Sequence, residues 1–485
     1  MADQLAPQWL ALADTPNLDA LAARGAVFQN AYCNSPICAP SRASMCTGRL
    51  VSNIGAYDNG ADFPANTPTF MSSLVENEYE VWLSGKMHFI GPDQHRGFQR
   101  RLTTDIYPSS HVWTPDWNES PVANPGTAVD QLSKSGLCTW NLQLDYDEET
   151  RFRSLEALRE LGRHQQDPEA KPFFLGASFT QPHEPFITTR EWWNRYDHDE
   201  VPPPAAPAES LEDMHPYNQW LQIHHMVDKY PPRDEDVQNS RHAYLAMISY
   251  FDEQVGKLLD ELERLGLADE TVVVVTSDHG EMLGEHGMWF KRTFFEPSVR
   301  VPLIFAGPDI ENGEYSGEVS LLDLFPTFLD LSNTEPDAPI DGHSLAPVLK
   351  GKGEGERDAV LIEYLSEGVC QPLRAAVRNR LKYVHVHGEE EQLFDLDADP
   401  LEQSNRIDDP AYADRCDALR SQVHRNYDPI SLRNEVLASQ QKRRQSHAAN
   451  PFPGWDVAPD FDPADQYVRR NNAQVTNIEH RYPRV

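Results

Sequence analysis

Thr271-Val272-Val273-Val274-Val275-Thr276-Ser277-Asp278-His279-Gly280 is the most apolar strand-like run of the chain, and it closes on a polar pair. A short β-branched run bounded by polar residues reads as a strand buried on both faces. Upstream of it, Tyr244, Ile248, Phe251, Val255, Leu258 and Leu262 recur at helical spacing within 240–265. The same alternation extends outward. Thr15-Pro16-Asn17, followed by Leu18, Leu21 and Ala22, reads as a capped helix ending at Gly25. Glu80–Ser84 and Phe173–Phe179 read as short strands, Val301–Ala306 as a further apolar strand and Leu321–Leu331 as a helix. Helices alternating with buried strands predict an α/β fold, a mostly parallel sheet covered on both faces. Residues 114–150 and 197–240 are polar, Pro-bearing insertions, the usual place for substrate loops.

The chain changes character near its end. Ala359–Tyr364, Ala375–Arg378, Leu381–Val386 and Gln392–Leu396 predict a small antiparallel sheet, followed by a helix at 411–426. From 430 onward apolar residues are few, and Pro451, Pro453, Pro459 and Pro463 interrupt any helix, so an extended arm is expected. The expected division is a catalytic domain over 1–350, a C-terminal subdomain over 351–430 and an arm over 431–485.

The 485 residues hold 39% hydrophobic and 10% aromatic side chains, enough for a large core. No apolar run approaches the ~18 residues of a membrane span. The net charge of −34 argues against nucleic acid or an anionic membrane as partner. Ten of the 42 basic residues are Lys, and an acidic, Lys-poor surface suits high salt as well as it suits an ordinary acidic enzyme. Six cysteines are too sparse for a disulfide scaffold, and Cys33, Cys38 and Cys46 lack zinc-pair spacing. Met1-Ala2-Asp3-Gln4-Leu5 shows no secretory signal, and a cytoplasmic location is expected.

Open α/β sheets bind ligands outside the carboxyl ends of their strands. Asp3-Gln4 and Asp278-His279 fall where strand ends are expected, and together they make a mixed-donor site for a divalent cation. For either alone, a helix cap is the commoner role of such an Asp.

The segment Cys38-Ala39-Pro40-Ser41-Arg42 continues to Thr47-Gly48-Arg49. It resembles the signature of the type I sulfatases, in which that cysteine is oxidised to formylglycine by a maturation enzyme. The resemblance implies an alkaline-phosphatase-like fold and a formylglycine hydrate as nucleophile beside a divalent metal, Ca²⁺ or Mn²⁺. The chemistry is sound: a sulfate ester repels nucleophiles, so a cation and fixed donors are needed. Of the two hydroxyls of a geminal diol, one attacks and the other expels sulfate. The N-terminus of a helix opened by Pro40 favours an anion.

Residue by residue, the resemblance implies Asp3, Gln4, Cys38, Asp278 and His279 around the metal, and Arg42 at the nucleophile. Asn59 is implied to contact sulfate. Lys86, in Gly85-Lys86-Met87-His88, would bind the nucleophile and a sulfate oxygen, and His88 would act as base. His183, in Gln181-Pro182-His183-Glu184-Pro185, would protonate the leaving oxygen, and Lys291 would hold the sulfate bridge. The likeness runs through Leu393-Phe394-Asp395-Leu396, Asp399-Pro400 and Asn405, covering roughly 1–427. Many sulfatases carry Asp-Asp and Asp-Asn where this chain has Asp3-Gln4 and Asp278-His279. Those pairs resemble a branch containing choline sulfatases and phosphonate or phosphodiester hydrolases.

Longer stretches are similar to choline sulfatases in particular: Ser84–Gln94, Leu102–Pro108, Trp113-Thr114-Pro115-Asp116, and Trp289-Phe290-Lys291 with Phe294-Phe295-Glu296. The expected reaction is hydrolysis of choline-O-sulfate, with phosphonate or phosphodiester hydrolysis, or another alkyl or aryl sulfatase activity, as the alternative. A quaternary ammonium needs aromatic faces and carboxylates. Trp113 is the expected wall, and Glu363 and Glu367 are two candidate counter-charges left undecided. Trp455-Asp456 and Tyr467-Val468-Arg469-Arg470-Asn471 resemble an arm that embraces a neighbouring subunit, so a homo-oligomer is expected. Asn472–Asn477 is uncharged where that arm tends to be acidic. The type I sulfatases also carry about six apolar residues before their first metal-binding Asp, where only Met1 and Ala2 stand here. The expectation is therefore a natural start upstream and a missing first strand.

Overall fold

The computed structural model describes residues 1–122, 127–335, 338–353 and 358–449. Its strands are Ala26–Tyr32 (β1), Glu80–Gly85 (β2), Arg100–Arg101 (β3), Gly136–Leu137 (β4), Phe173–Ser178 (β5), Ile187–Thr188 (β6), Val273–Thr276 (β7), Arg300–Val301 (β8), Leu303–Ala306 (β9), Gly313–Ser320 (β10), Val360–Tyr364 (β11), Leu373–Arg378 (β12), Leu381–Val386 (β13) and Gln392–Asp395 (β14). One sheet runs β10-β1-β9-β7, with β8 also on β1; a second runs β3-β2-β5. Pairing is parallel for β1–β10, β2–β3 and β2–β5, but β9 is antiparallel to both β1 and β7. The sheet is thus mixed. Between β7 and β9 the chain forms the loops of the candidate site instead of a covering helix, so it returns in the opposite sense. The single strand expected over Val301–Ala306 is split at Pro302, which has no N–H to give a ladder.

The two faces carry separate cores. Leu18, Leu21, Tyr244, Ile248, Phe251 and Val255 pack with Val275 and Ile304 on one side. Phe70, Leu74, Leu324, Phe325 and Leu329 pack with Phe28, Val81, Leu83 and Phe305 on the other. Ile304 and Phe305 take opposite faces, as the two-residue period of a strand requires. Helices Leu142–His164 and Asp234–Arg264 pack on each other, the first also on β2 and β5. Among the described residues no helix is long and apolar enough to cross a membrane.

The sheet is interrupted between β5 and β7. Among the described residues only Met1 and Ala2 lie there: the Met1 ammonium donates to the Ala177 carbonyl, Phe179 N–H to the Met1 carbonyl, and Ala2 N–H to the Thr276 carbonyl. Ala2 bridges Ser277 in parallel sense. Phe173, Phe174 and Leu175 of β5 and Val273 and Val274 of β7 remain half-buried, whereas β2 is buried from Val81 to Gly85. Burial pulls the Met1 ammonium down from its ordinary range to about 5.

Strands β11-β12-β13-β14 form an antiparallel meander. Helix Ala413–His424 lays Cys416, Leu419 and Val423 on Ala376, Tyr383 and Leu393. A buried Lys382 ties the meander to the rest of the chain, its Nζ 2.7 Å from Glu402 and 2.8 Å from Glu296. The expected arm from 430 is, in its first part, a helix, Pro429–Ala449. The prolines that break helical pattern all lie beyond it, and Leu432, Val436, Gln440 and Arg443 are buried along one side at near-helical spacing. Trp455, Asp456 and the segments 467–471 and 472–477 lie outside the described residues.

Candidate active site

Four chain segments leave the sheet at neighbouring carboxyl ends: Asp3-Gln4 after the Ala2 bridge, Lys86–His88 after β2, Gln181–Glu184 after β5 and Asp278-His279 after β7. Cys38 enters from the first turn of helix Cys38–Thr47. Its Sγ lies 3.2 Å from His279 Nε2 and 3.8 Å from Asp3 Oδ1. Donor atoms of Asp3, Cys38, Asp278 and His279 all fall within 4.8 Å of one another, and all four residues are buried. Burial and the facing Asp278 raise the Asp3 carboxyl above its ordinary range, while Arg42 and His279 pull the Asp278 carboxyl well below it. Two carboxylates and an imidazole, with the Cys38 side chain beside them, suit a divalent cation.

Arg42 is fully buried. Its Nε donates to Asp278 Oδ2 at 2.8 Å and its Nη1 to Ser178 Oγ at 2.9 Å, while its Nη2 makes no hydrogen bond. An orphaned guanidinium N–H in this cluster is the kind of donor an anion recruits. Lys86 contacts Asp3 and lies 4.3 Å from the centre of the Tyr107 ring. Gly85 must be glycine: its φ is +102°, and a Cβ would meet the Ser178 carbonyl oxygen at 1.9 Å. His88 also has positive φ, 53°, held by Asp105, whose Oδ2 accepts the His88 N–H at 2.7 Å. Neither ring nitrogen of His88 has a hydrogen-bond partner, and burial beside Lys86 holds its pKa well below the usual histidine range. The ring is thus a neutral base.

His183 Nδ1 is 2.7 Å from the Glu184 carbonyl, which fixes that nitrogen as the N–H donor. Its Nε2 then accepts from Lys291 Nζ at 2.9 Å. Glu184 sits 3.2 Å from Lys291 and is held below the usual carboxylate range by His183 and Lys291. Gln4, at φ 69°, donates from its Nε2 to Glu184 at 2.6 Å and to Glu281, and its Oε1 accepts a hydrogen bond from Lys291. Its side-chain oxygen is therefore engaged by Lys291. Asn59 Oδ1 accepts the Ala39 N–H at 3.1 Å, so only its amide nitrogen is left to meet an anion.

Trp113 meets His88 and Tyr107 edge-on, each with ring centres 5.5 Å apart, and forms an aromatic wall beside Lys86. The two glutamates separate. Glu363 is fully buried, bound by Arg374 Nε at 2.9 Å and by Ser52 N–H at 3.0 Å, so its charge is spent inside the protein. That removes it from the pocket. Glu367 is paired to Arg292 at 3.0 Å, next to Lys291. Tyr107, Asp105, Glu184 and Glu281 were not singled out from sequence. Glu184 and Glu281 did carry a signal, lying one residue beyond His183 and two beyond His279.

Helix Pro429–Ala449 reaches this wall. Arg443 donates to both oxygens of buried Asp58 at 2.7 Å and to Thr114 Oγ1 at 2.9 Å, so one guanidinium braces the neighbours of Asn59 and Trp113. Arg443→Met is expected to destabilise the protein by about 3 kcal/mol, since it leaves the Asp58 carboxylate buried and unpaired. A thermal melt, with KM measured on the surviving fold, checks it; an unchanged Tm overturns the bracing role.

The sulfatase family model matches residues 10–334, and the model for the C-terminal part of N-sulphoglucosamine sulphohydrolase matches 284–428. The chain is 39% identical to the choline-sulfatase of Rhizobium meliloti, covering 97% of this chain and 94% of that one. It is 30% identical to human iduronate 2-sulfatase over 70% of this chain and 69% of that one. Among solved structures, the phosphonate monoester hydrolase of Agrobacterium radiobacter superposes with a TM-score of 0.68 at 24% identity, covering 90% of this chain and 95% of that one, a likeness of fold.

Proposed function

This chain belongs to the sulfatase family, and on that footing we propose that it hydrolyses choline-O-sulfate to choline and sulfate. The aromatic wall of Trp113, Tyr107 and His88 beside Arg42 and Lys86 carries the reading. It offers faces for a quaternary ammonium within reach of donors for a sulfate. The near full-length likeness to a protein named choline-sulfatase supports it.

Cys38, matured by a formylglycine-generating enzyme, is assigned as nucleophile. So matured, Cys38 would supply, as the aldehyde hydrate, one hydroxyl toward sulfur and a second through which sulfate could be expelled. Asp3, Asp278 and His279, with Gln4 once Lys291 releases its oxygen, are assigned to a divalent metal, Ca²⁺ or Mn²⁺, which would draw charge from the sulfate oxygens. Arg42 Nη2, Lys86 and the Asn59 amide then fix the anion. His88, neutral and free of hydrogen bonds at both nitrogens, takes a proton at the nucleophile. The choline oxygen leaves as a poor alkoxide and needs a proton. The His183–Lys291 pair, which shares one across 2.9 Å, is placed to give it. Glu184, 3.2 Å away, holds the Lys291 ammonium in place for that step. The 1–350, 351–430 and 431–485 division, a cytoplasmic location and assembly through the C-terminal arm belong to this proposal.

Steady-state rates on choline sulfate, a neutral aryl sulfate and an aryl phosphonate test it. Choline sulfate should be the preferred substrate, and a preference for the phosphonate would replace the reading with its alternative. Trp113→Ala should raise KM for choline sulfate roughly 2- to 30-fold, the equivalent of about 0.5–2 kcal/mol of cation–π contact. KM for the aryl sulfate should move far less. Equal losses on both substrates would remove the choline pocket.

A further inference from the structure

In the C-terminal meander, outside the site above, three metal-ligating side chains converge from three segments. His385 lies on β13, Glu391 just before β14, and His424 at the last position of helix Ala413–His424. One ligand atom from each lies within 4.8 Å of the other two. Both ring nitrogens of His385 are buried and without a hydrogen-bond partner. An imidazole whose two buried nitrogens are both orphaned is costly unless something occupies them.

We propose that His385, Glu391 and His424 form a second metal site, selective for a zinc-class divalent ion, that clamps the helix end to the sheet. Two imidazoles and a carboxylate are borderline donors that favour Zn²⁺ over Ca²⁺ or Mg²⁺, and three protein ligands leave a fourth position for water. The carboxylate is already aimed. Glu391 Oε2 is held by Arg420 at 2.8 and 3.0 Å, and this presents Oε1 to His385 Nδ1 at 3.9 Å. An outer partner that fixes a liganding carboxylate is a regular feature of such centres. The His385 and His424 rings lie 4.6 Å apart at 75°, edge to face and not stacked, so their nitrogens need only converge. Tetrahedral ligands about 2 Å from a metal sit roughly 3.3 Å apart. His424 is exposed at the helix end, with its ring against those of His385 and Tyr427.

The test uses the full chain, stripped by chelator and then saturated with Ca²⁺ to fill the Asp3–Asp278 cluster. Zn²⁺ is titrated by calorimetry, with bound zinc measured after dialysis and Tm read in parallel. The parent should bind one zinc per chain beyond any at the Asp3–Asp278 cluster, and zinc should raise its Tm. His424→Ala, a change at an exposed side chain, should weaken that binding about 100-fold, abolish the Tm rise and leave choline sulfate turnover unchanged. His385→Ala should lose the same equivalent. Identical zinc stoichiometry, affinity and Tm response in the parent and in His424→Ala would overturn the site.

Discussion

Replacing Cys38 by Ala is expected to lower kcat by about 10⁴-fold or more, in a protein that folds and melts like the parent. The side chain lies at the opening of helix Cys38–Thr47 and touches His279 and Asp3, polar groups that do not depend on sulfur for their packing. The helix keeps its Asn59 contact through the Ala39 N–H, which the substitution does not touch. Cys38→Ser should be as inactive in turnover, because a serine sulfate ester has no second hydroxyl through which to release sulfate. Asp278→Asn should also be inactive, but with a lower Tm. It strips the charge from the nearer of the two carboxylates facing a fully buried Arg42, leaving only Asp3 at 3.8 Å, and breaking a buried ion pair costs up to about 3–5 kcal/mol. Mass spectrometry of the Cys38 peptide from native-host protein accompanies these rates. A wholly unmodified thiol, or parent-like turnover in Cys38→Ala, would defeat the mechanism.

The fold class was legible in the sequence, as was the convergence of Asp3, Cys38, Asp278 and His279, whereas several individual strands were not. Asp278-His279 could be placed because the run before it is apolar enough to be a buried strand, and a strand end is where ligands gather. Strands β1 and β10 escaped notice for the opposite reason. Gly313–Ser320 alternates half-buried and exposed positions until Val319, so no hydrophobic run marks it. Ala26–Tyr32 carries Gln29 and Asn30 at its centre, and although Asn30 is buried the polar pair breaks the apolar run. Glu363 and Glu367 could not be told apart because the difference lies in their partners. Arg374, eleven residues on, claims the first, whereas Arg292, far away in sequence, claims the second. The helix Pro429–Ala449 was missed because the expectation was taken from prolines that lie beyond its end.

Fusing a short apolar strand, such as Pro-Asn-Val-Leu-Leu-Ile, ahead of Met1 is expected to raise Tm by roughly 5 °C or more and to tighten metal binding with it. The direction of the added segment is fixed by contacts already present. Met1 pairs with Ala177 and Phe179 on one side and Ala2 with Thr276 on the other, both in parallel sense, so upstream residues run beside Phe173–Gly176 and Val272–Val275. There they would meet strand edges that are half-buried, with Phe173, Leu175 and Val273 only partly covered. Each ladder bond regained contributes about 1 kcal/mol. Each aliphatic side chain buried contributes roughly 1.5–3 kcal/mol, against about 1–2 kcal/mol per residue for ordering the backbone. The fusion also turns a buried terminal ammonium, which burial drives toward its neutral form, into an amide that is at home in a sheet. Metal affinity follows because Asp3 and the Gln4 backbone, now anchored by two residues, would be held from both ends. Gln4 N–H would keep its 3.0 Å contact with Asp278 Oδ1 with less fraying. Differential scanning calorimetry and Ca²⁺ titration of the parent and the fusion decide it. Equal Tm and equal metal affinity in the two proteins would show that the gap between β5 and β7 is closed well enough by Met1 and Ala2 alone.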